Sequence, residues 1–223
     1  MRNQAAIALV GAALAALTGC FKEPVPADKT VPPETRVWLK GKGLVNLSVD
    51  AVFKDGLVFL GDAGWTNLSA RVEKFDPASI DYLNLDYNAL TNVEALSAFT
   101  GLRWLRLNDN ALASLPDLSS LVKLRRVYFK NNRLAEVPAF LKDLPELDTV
   151  DLSGTQISQI PDWFAQKGGL SHLILSNTRI SKLPSDLSAW KSLKSLQMGG
   201  LKMESLAEMK RIRSALPDTT IVF

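Results

Sequence analysis

The stretch IDYLNLDYNAL, Ile80 to Leu90, decides how the rest of this 223-residue chain reads. Leu83 and Leu85 are two residues apart, so in an extended strand they share one face, while Tyr82, Asn84 and Asp86 share the other. A strand this short cannot bury its apolar face alone. The same frame returns in LRWLRLNDNAL (Leu102–Leu112), LRRVYFKNNRL (Leu124–Leu134), LDTVDLSGTQI (Leu147–Ile157), LSHLILSNTRI (Leu170–Ile180) and LKSLQMGGLKM (Leu193–Met203). The first residues of these stretches lie 22, 22, 23, 23 and 23 apart. A period held through six copies implies stacked units, each covering its neighbour and together enclosing one continuous core.

The shared pattern, L-x-x-L-x-L-x-x-N-x-L, resembles the leucine-rich repeat family. The resemblance covers residues 80–203 and implies an α/β solenoid. Its curved parallel β-sheet would line the concave face, and short helical or 3-10 segments the convex face. Asn88, Asn110 and Asn132 occupy the ninth position, where the chain turns out of the strand and backbone groups need partners. Thr155 and Thr178 replace this asparagine and can do part of its work; Leu201 cannot, so the sixth turn departs from the pattern.

On the opposite side Pro116, Pro138, Pro161 and Pro184 fall 22, 23 and 23 apart. Proline is tolerated in the first turn of a helix, so these are expected to start short helical segments. Leu206, Met209, Ile212 and Leu216, followed by DTTIVF, predict a helix and a closing strand as a C-terminal cap over residues 206–223, after repeats at 80–205. Residues 36–79 are expected to form a β-rich N-terminal cap. It would have a hairpin turn at Lys54-Asp55-Gly56 and one degenerate repeat around Leu44, Leu47 and Val49.

The N-terminus carries a separate message. After Arg2, the run AAIALVGAALAAL (Ala5–Leu17) has no charge. As a helix it would reach only about 20 Å, short of the roughly twenty apolar residues that a bilayer core requires. Residues 1–19 therefore read as a secretory signal peptide. The LTGC that follows, Leu17–Cys20, resembles the lipobox of bacterial lipoproteins. That resemblance implies that Cys20 is acylated and becomes the first residue of the mature chain, with Phe21 rather than Asp after it implying the outer membrane. Several acyl chains at ~0.8 kcal/mol per buried methylene would hold firmly. Residues 20–35, rich in proline, read as a semi-rigid tether.

Cys20 is the only cysteine, so once acylated it leaves no thiol for a disulfide, a metal site or a nucleophile. Without residues 1–19 the chain has 25 basic and 23 acidic residues, a balance that gives no reason to expect nucleic acid. The one histidine, His172, falls at an outward strand position. No phosphate-binding loop or metal-ligand spacing is present; Gly168-Gly169 and Gly199-Gly200 read as turns. No enzyme, cofactor or metal is expected.

The outward residues of the first three repeat strands are Tyr82, Asn84, Asp86; Trp104, Arg106, Asn108; and Arg126, Tyr128, Lys130. In the next three they are mostly small and polar. Trp, Tyr and Arg dominate many interfaces, so Tyr82, Trp104, Arg106, Arg126 and Tyr128 are the candidate solvent-facing anchors, with Asp86 and Lys130 beside them. The alternative is that these aromatics pack against one another across the sheet, or cover part of the N-terminal cap. The basic cluster Lys123, Arg125, Arg126, Lys130 and Arg133 favours an acidic partner, with Asp86 and Asp109 neutralising part of it. The function expected is that of a lipid-anchored cell-envelope protein binding a protein partner on its concave face. A glycan or cell-wall binder stacking sugars on Tyr82, Trp104 and Tyr128, and a structural spacer, are the alternatives.

Overall fold

The computed structural model describes residues 57–59 and 77–223. Each repeat contributes one three-residue strand where the leucine frame places it: β2 (Tyr82–Asn84), β3 (Trp104–Arg106), β4 (Arg126–Tyr128), β5 (Thr149–Asp151), β6 (His172–Ile174) and β7 (Ser195–Gln197). With β1 (Leu57–Phe59) before them and β8 (Thr220–Val222) after, the described residues form one parallel sheet of eight strands in chain order. The register aligns Leu83, Leu105, Val127, Val150, Leu173, Leu196 and Ile221 in one row. All but Ile221 are fully buried. Burying each such side chain contributes about 1.5–3 kcal/mol, so the row is a large share of what holds the sheet together.

β1 lies one strand upstream of the first recognised repeat. Val58 pairs with Leu83, a spacing of 25 rather than 22 or 23. That irregular step, with no asparagine to mark a turn, is why the leucine frame missed it. The Lys54-Asp55-Gly56 turn, the degenerate repeat near Leu44, the rest of the 36–79 cap, the signal peptide, Cys20 and the tether lie outside the described residues.

The turn that ends each strand has a fixed construction. Tyr87, Asp109, Asn131, Gly154, Asn177 and Gly200, one per repeat, all have φ between 54° and 77°. Asn and Asp tolerate this left-handed conformation and glycine adopts it freely. At Gly154 a Cβ would also collide with Oδ1 of Asn131, whose Nδ2 donates to Asp109 Oδ1 at 2.7 Å. Next comes the ninth position. Asn110 Nδ2 donates to the carbonyls of Leu107 (3.0 Å) and of Leu85 in the preceding repeat (2.9 Å), while its Oδ1 accepts from Leu90 N (3.0 Å). Asn132 repeats this with Phe129, Leu107 and Leu112. Thr155 and Thr178 reach only their own strand's carbonyls, Leu152 and Leu175. The sixth turn, which Leu201 left in question, forms through the backbone: Gly200 takes φ of 77° and Leu201 N donates to Met198 O at 3.2 Å.

On the far side the proline expectation holds for two repeats of four. Pro138 and Pro161 directly precede the 3-10 segment Ala139–Asp143 and helix α1 (Asp162–Ala165). No helical segment follows Pro116 directly, and after Pro184 the 3-10 segment waits until Ser188–Ser192. What these repeats share is an Asx turn: Asp117 accepts from Ser119 N and Asp186 from Ser188 N, each at 2.9 Å. The first repeat, with no proline, does the same through Asn92 and forms the 3-10 segment Glu94–Ala98. Side-chain capture of a backbone N–H two residues on is thus the commoner device here.

The expected C-terminal elements form as helix α2 (Leu206–Ala215) and β8. Ile212 and Leu216 are buried, whereas Leu206, expected on the same face, is exposed. Glu208 turns inward instead. Its carboxylate accepts from Leu183 N (3.1 Å) and from Arg211 Nε (2.8 Å) and Nη2 (2.7 Å), while Arg211 donates to the carbonyls of Leu183, Pro184 and Ser185. This clamp fastens the cap to the sixth repeat. Hydrogen bonds from Arg211 hold the Glu208 carboxyl below its ordinary value.

Two outcomes follow. Asn110→Ala orphans groups in two repeats and should cost roughly 3–5 kcal/mol, whereas Thr178→Val removes one hydrogen bond and should cost about 1 kcal/mol, both read by urea unfolding. A carboxyl with a depressed folded-state pKa stabilises above its unfolded value and loses that contribution as pH falls through the folded one. The stability gap between native protein and Glu208→Gln should therefore shrink as pH drops from about 6 towards 3. A gap that stays constant would show that Glu208 acts only by shape.

Candidate functional site

Strand alternation presents three columns of side chains on the concave side. The first runs Tyr82, Trp104, Arg126, Thr149, His172, Ser195, and the second Asn84, Arg106, Tyr128, Asp151, Ile174, Gln197. The third, just beyond the strand ends, begins Asp86, Asn108, Lys130.

The structure corrects the expectation that all these residues face solvent. Tyr82 is only 5 % exposed and Asp86 1 %. The Tyr82 ring lies 5.4 Å from Trp104, tilted by 42°, and burial pushes its phenol above the ordinary range. Asp86 is roofed by its partners: Arg106 Nε donates to its Oδ2 at 2.8 Å, Asn108 N to Oδ1 at 2.8 Å and Asn108 Nδ2 to Oδ2 at 3.3 Å. Neither Tyr82 nor Asp86 is a solvent-facing anchor. Both act beneath the surface, Tyr82 as backing for Trp104 and Asp86 as the socket of Arg106.

Burial pushes the Asp86 carboxyl upward, and Arg106 with the Asn108 donors pulls it part of the way back. Burial also works against the Arg106 charge, but Asp86 outweighs it and holds the guanidinium above its usual range. A carboxylate desolvated to this degree is a poor source of stability and a good source of position.

Trp104, Arg106, Arg126 and Tyr128 remain half-buried, and Lys130 is exposed. They are ordered by crossing. Trp104 stands opposite Arg126 and Arg106 opposite Tyr128. The Arg126 guanidinium carbon sits 4.4 Å from the Trp104 ring centre and that of Arg106 5.1 Å from the Tyr128 ring centre. Each arginine thus leans onto the aromatic of the neighbouring strand, at ~0.5–1 kcal/mol or more per pair. Arg126 Nε also faces Asp148 at 3.6 Å, a carboxylate shared with Arg125 at 3.3 Å.

The second half of this face differs. Thr149, Asp151 and Ser153 are buried, and Ser153 satisfies Asp151 through its N (2.9 Å) and Oγ (2.6 Å). His172 is exposed at its expected place. Among the described residues no group of three or more His, Cys, Asp or Glu side chains is placed to hold a metal ion.

Tyr87 is a surface residue that the sequence reading passed over. It is 54 % exposed, and it takes the left-handed φ of 56° that the other repeats give to Asp, Asn or Gly. Lining up residues 87, 109, 131, 154, 177 and 200 would have exposed the misfit, because a bulky residue there is strained.

A family description, leucine-rich repeat region, matches residues 83–215. This chain belongs to the leucine-rich repeat family. Among solved structures it is similar to the leucine-rich repeat protein LIC12759 of Leptospira interrogans, with 25 % identity and a TM-score of 0.68 over 74 % of this chain and 42 % of that one. It is also similar in fold to the functional domain of InlJ from Listeria monocytogenes, which includes a cysteine ladder; identity is 22 % and the TM-score 0.56, over 68 % of this chain and 31 % of that one. The chain thus spans less than half of either. No curated protein sequence matches it.

In this leucine-rich repeat domain the strain at Tyr87 can be measured. Tyr87→Asn, which installs the residue found at positions 131 and 177, should raise stability by about 1 kcal/mol in thermal or urea unfolding. A loss of stability would mean that contacts of the Tyr87 ring outweigh its backbone strain.

Proposed function

We propose that this chain is a lipid-anchored protein of the bacterial cell envelope whose leucine-rich repeat domain holds a protein partner on the concave face of β3 and β4. The observation that carries the reading is the half-buried cluster of Trp104, Arg106, Arg126 and Tyr128, with Lys130 exposed beside it. These are the residue types that concentrate binding energy, already held in fixed rotamers by stacking, so little side-chain entropy is lost on docking. Membership of a family known as an interaction scaffold points the same way.

The anchor rests on the sequence. The short apolar run, the small residues and Cys20 stand in the order that acylation requires, and residues 20–35 would hold the domain away from the membrane. Phe21 directs it to the outer membrane. Stacking of sugars on the aromatics receives less support. Tyr82 is buried, and Trp104 and Tyr128 each already carry an arginine on the ring. A plain spacer would have no use for the cluster.

The test is in-cell crosslinking and capture, comparing the native lipoprotein with Trp104→Ala/Arg126→Ala/Tyr128→Ala after circular dichroism has shown the variant folded. A partner recovered with the native chain should fall at least tenfold with the variant, the loss of one strong hot spot. Recovery of the same proteins from both would overturn the concave-face assignment. Cys20→Ser should move the protein from the membrane to the soluble fraction; retention in the membrane would overturn the anchor.

A further inference from the structure

The geometry points to an acidic, extended segment of the partner, with two carboxylate side chains two residues apart, as what Arg106 and Arg126 receive. This deepens the concave-face reading and rests on it. Arg106 spends only Nε on the protein, in its bond to Asp86. Arg126 makes a single ionic approach, also through Nε, to Asp148. Among the described residues the terminal nitrogens of both arginines have no hydrogen-bond acceptor, although the side chains are held in place by Tyr128 and Trp104 and are only 20 % and 30 % exposed. Two pinned guanidinium forks with free donors at a surface are a preorganised receptor for carboxylates.

Their placement sets the spacing of the ligand. Arg106 ends β3 and Arg126 begins β4, two register positions apart on adjacent strands. With strands ~4.8 Å apart and ~3.3 Å per residue, their Cα atoms are about 8 Å apart along the diagonal. Side chains two residues apart in an extended peptide point the same way about 6.6 Å apart, so one carboxylate can meet each fork. Two forks set about 8 Å apart suit two carboxylates better than one phosphate, whose oxygens are too close together to fill both.

The local charge favours the same ligand. Arg106 pairs with Asp86, whereas Arg125 and Arg126 share the single carboxylate of Asp148, which leaves that group one positive charge in excess. The fold does not require these cations. The three following repeats place Thr149, His172 and Ser195 in the first column and pair their strands equally well.

The full chain in detergent micelles can be titrated by fluorescence anisotropy with a labelled ten-residue peptide of Thr and Val carrying Glu at two positions, i and i+2. The controls are the same peptide with Gln at both positions and one with the two Glu adjacent. The Glu i, i+2 peptide should bind at least tenfold more tightly than either control, and should weaken as salt is raised from 50 to 500 mM. Arg126→Gln should reduce that binding about tenfold; it leaves Asp148 its contact with Arg125, so the fold is spared. Arg106→Lys keeps a cation against buried Asp86 but loses the fork, and should weaken binding by a similar factor. Equal binding of Glu and Gln peptides, or binding indifferent to Arg126→Gln, overturns the inference. If the cell crosslink still maps to the concave face in that case, the concave-face reading survives with a partner of other chemistry; if that crosslink is absent too, both fall.

Discussion

At the end of every strand the chain turns away from the sheet and leaves carbonyl oxygens in a place that water does not reach. With three residues per strand there is no ladder long enough to absorb this loss, so each turn must be satisfied from outside the strand. Asn110 and Asn132 do so across two repeats at once, joining a strand's own carbonyl to that of the preceding repeat and accepting a backbone N–H in return. That bond ties the first turns to one another, while in the later repeats Thr155 and Thr178 bond within their own turn and the backbone pairing keeps the step. The step fixes the register, the register aligns the leucine row, and the outward columns follow with no further choice. The left-handed residue just before each asparagine position belongs to the same constraint, because the chain must reverse within one residue for that side chain to point back beneath the strand.

Once columns exist, residues 22 or 23 apart in sequence become neighbours about 5 Å apart. Alternation within a strand then acquires a meaning that no single repeat has. Trp-Leu-Arg over Arg-Val-Tyr sets an aromatic opposite an arginine at both outward positions, and the two pairs lock each other's rotamers. Beneath them Asp86, deprived of water, can hold its charge only by keeping Arg106 and Asn108 in place. The cluster is therefore built inward from a buried carboxylate to half-buried stacks, and the stacks leave the outer edges of the arginines unclaimed.

The parts legible in the sequence were those governed by period. The strands, the leucine core, the asparagine turns and the closing helix and strand all follow from spacing, because burial and turn satisfaction recur identically at each step. What escaped were departures from the period and consequences of depth. β1 sits 25 residues before β2, outside the frame. Pro116 and Pro184 looked like helix starts, but the Asx turns of Asp117 and Asp186 set the local path there. Alternation puts Tyr82 and Asp86 on the outward face, but it gives a face and not the depth of cover over it. The oddity of Tyr87 is a backbone angle, visible only beside the Asp, Asn and Gly of the other repeats.

A strained tyrosine at 87, a desolvated carboxylate at 86 and guanidinium groups with unused donors all fall on the first three repeats, whereas the later repeats fill equivalent positions with Gly154, Ser153 and Thr149. Both halves form the same strands and place a left-handed residue at the same point of each turn, so the first half's choices add free energy that the strands do not need. Strain of ~1–2 kcal/mol for a left-handed tyrosine and several kcal/mol for a buried charge are large against the marginal stability of a domain. The fourth repeat also buries a carboxylate, Asp151, but Ser153 of its own turn supplies donors to it, whereas Asp86 is held by Arg106 and Asn108 of the next repeat. That concentration is the ground for placing the proposed contact on the first three repeats.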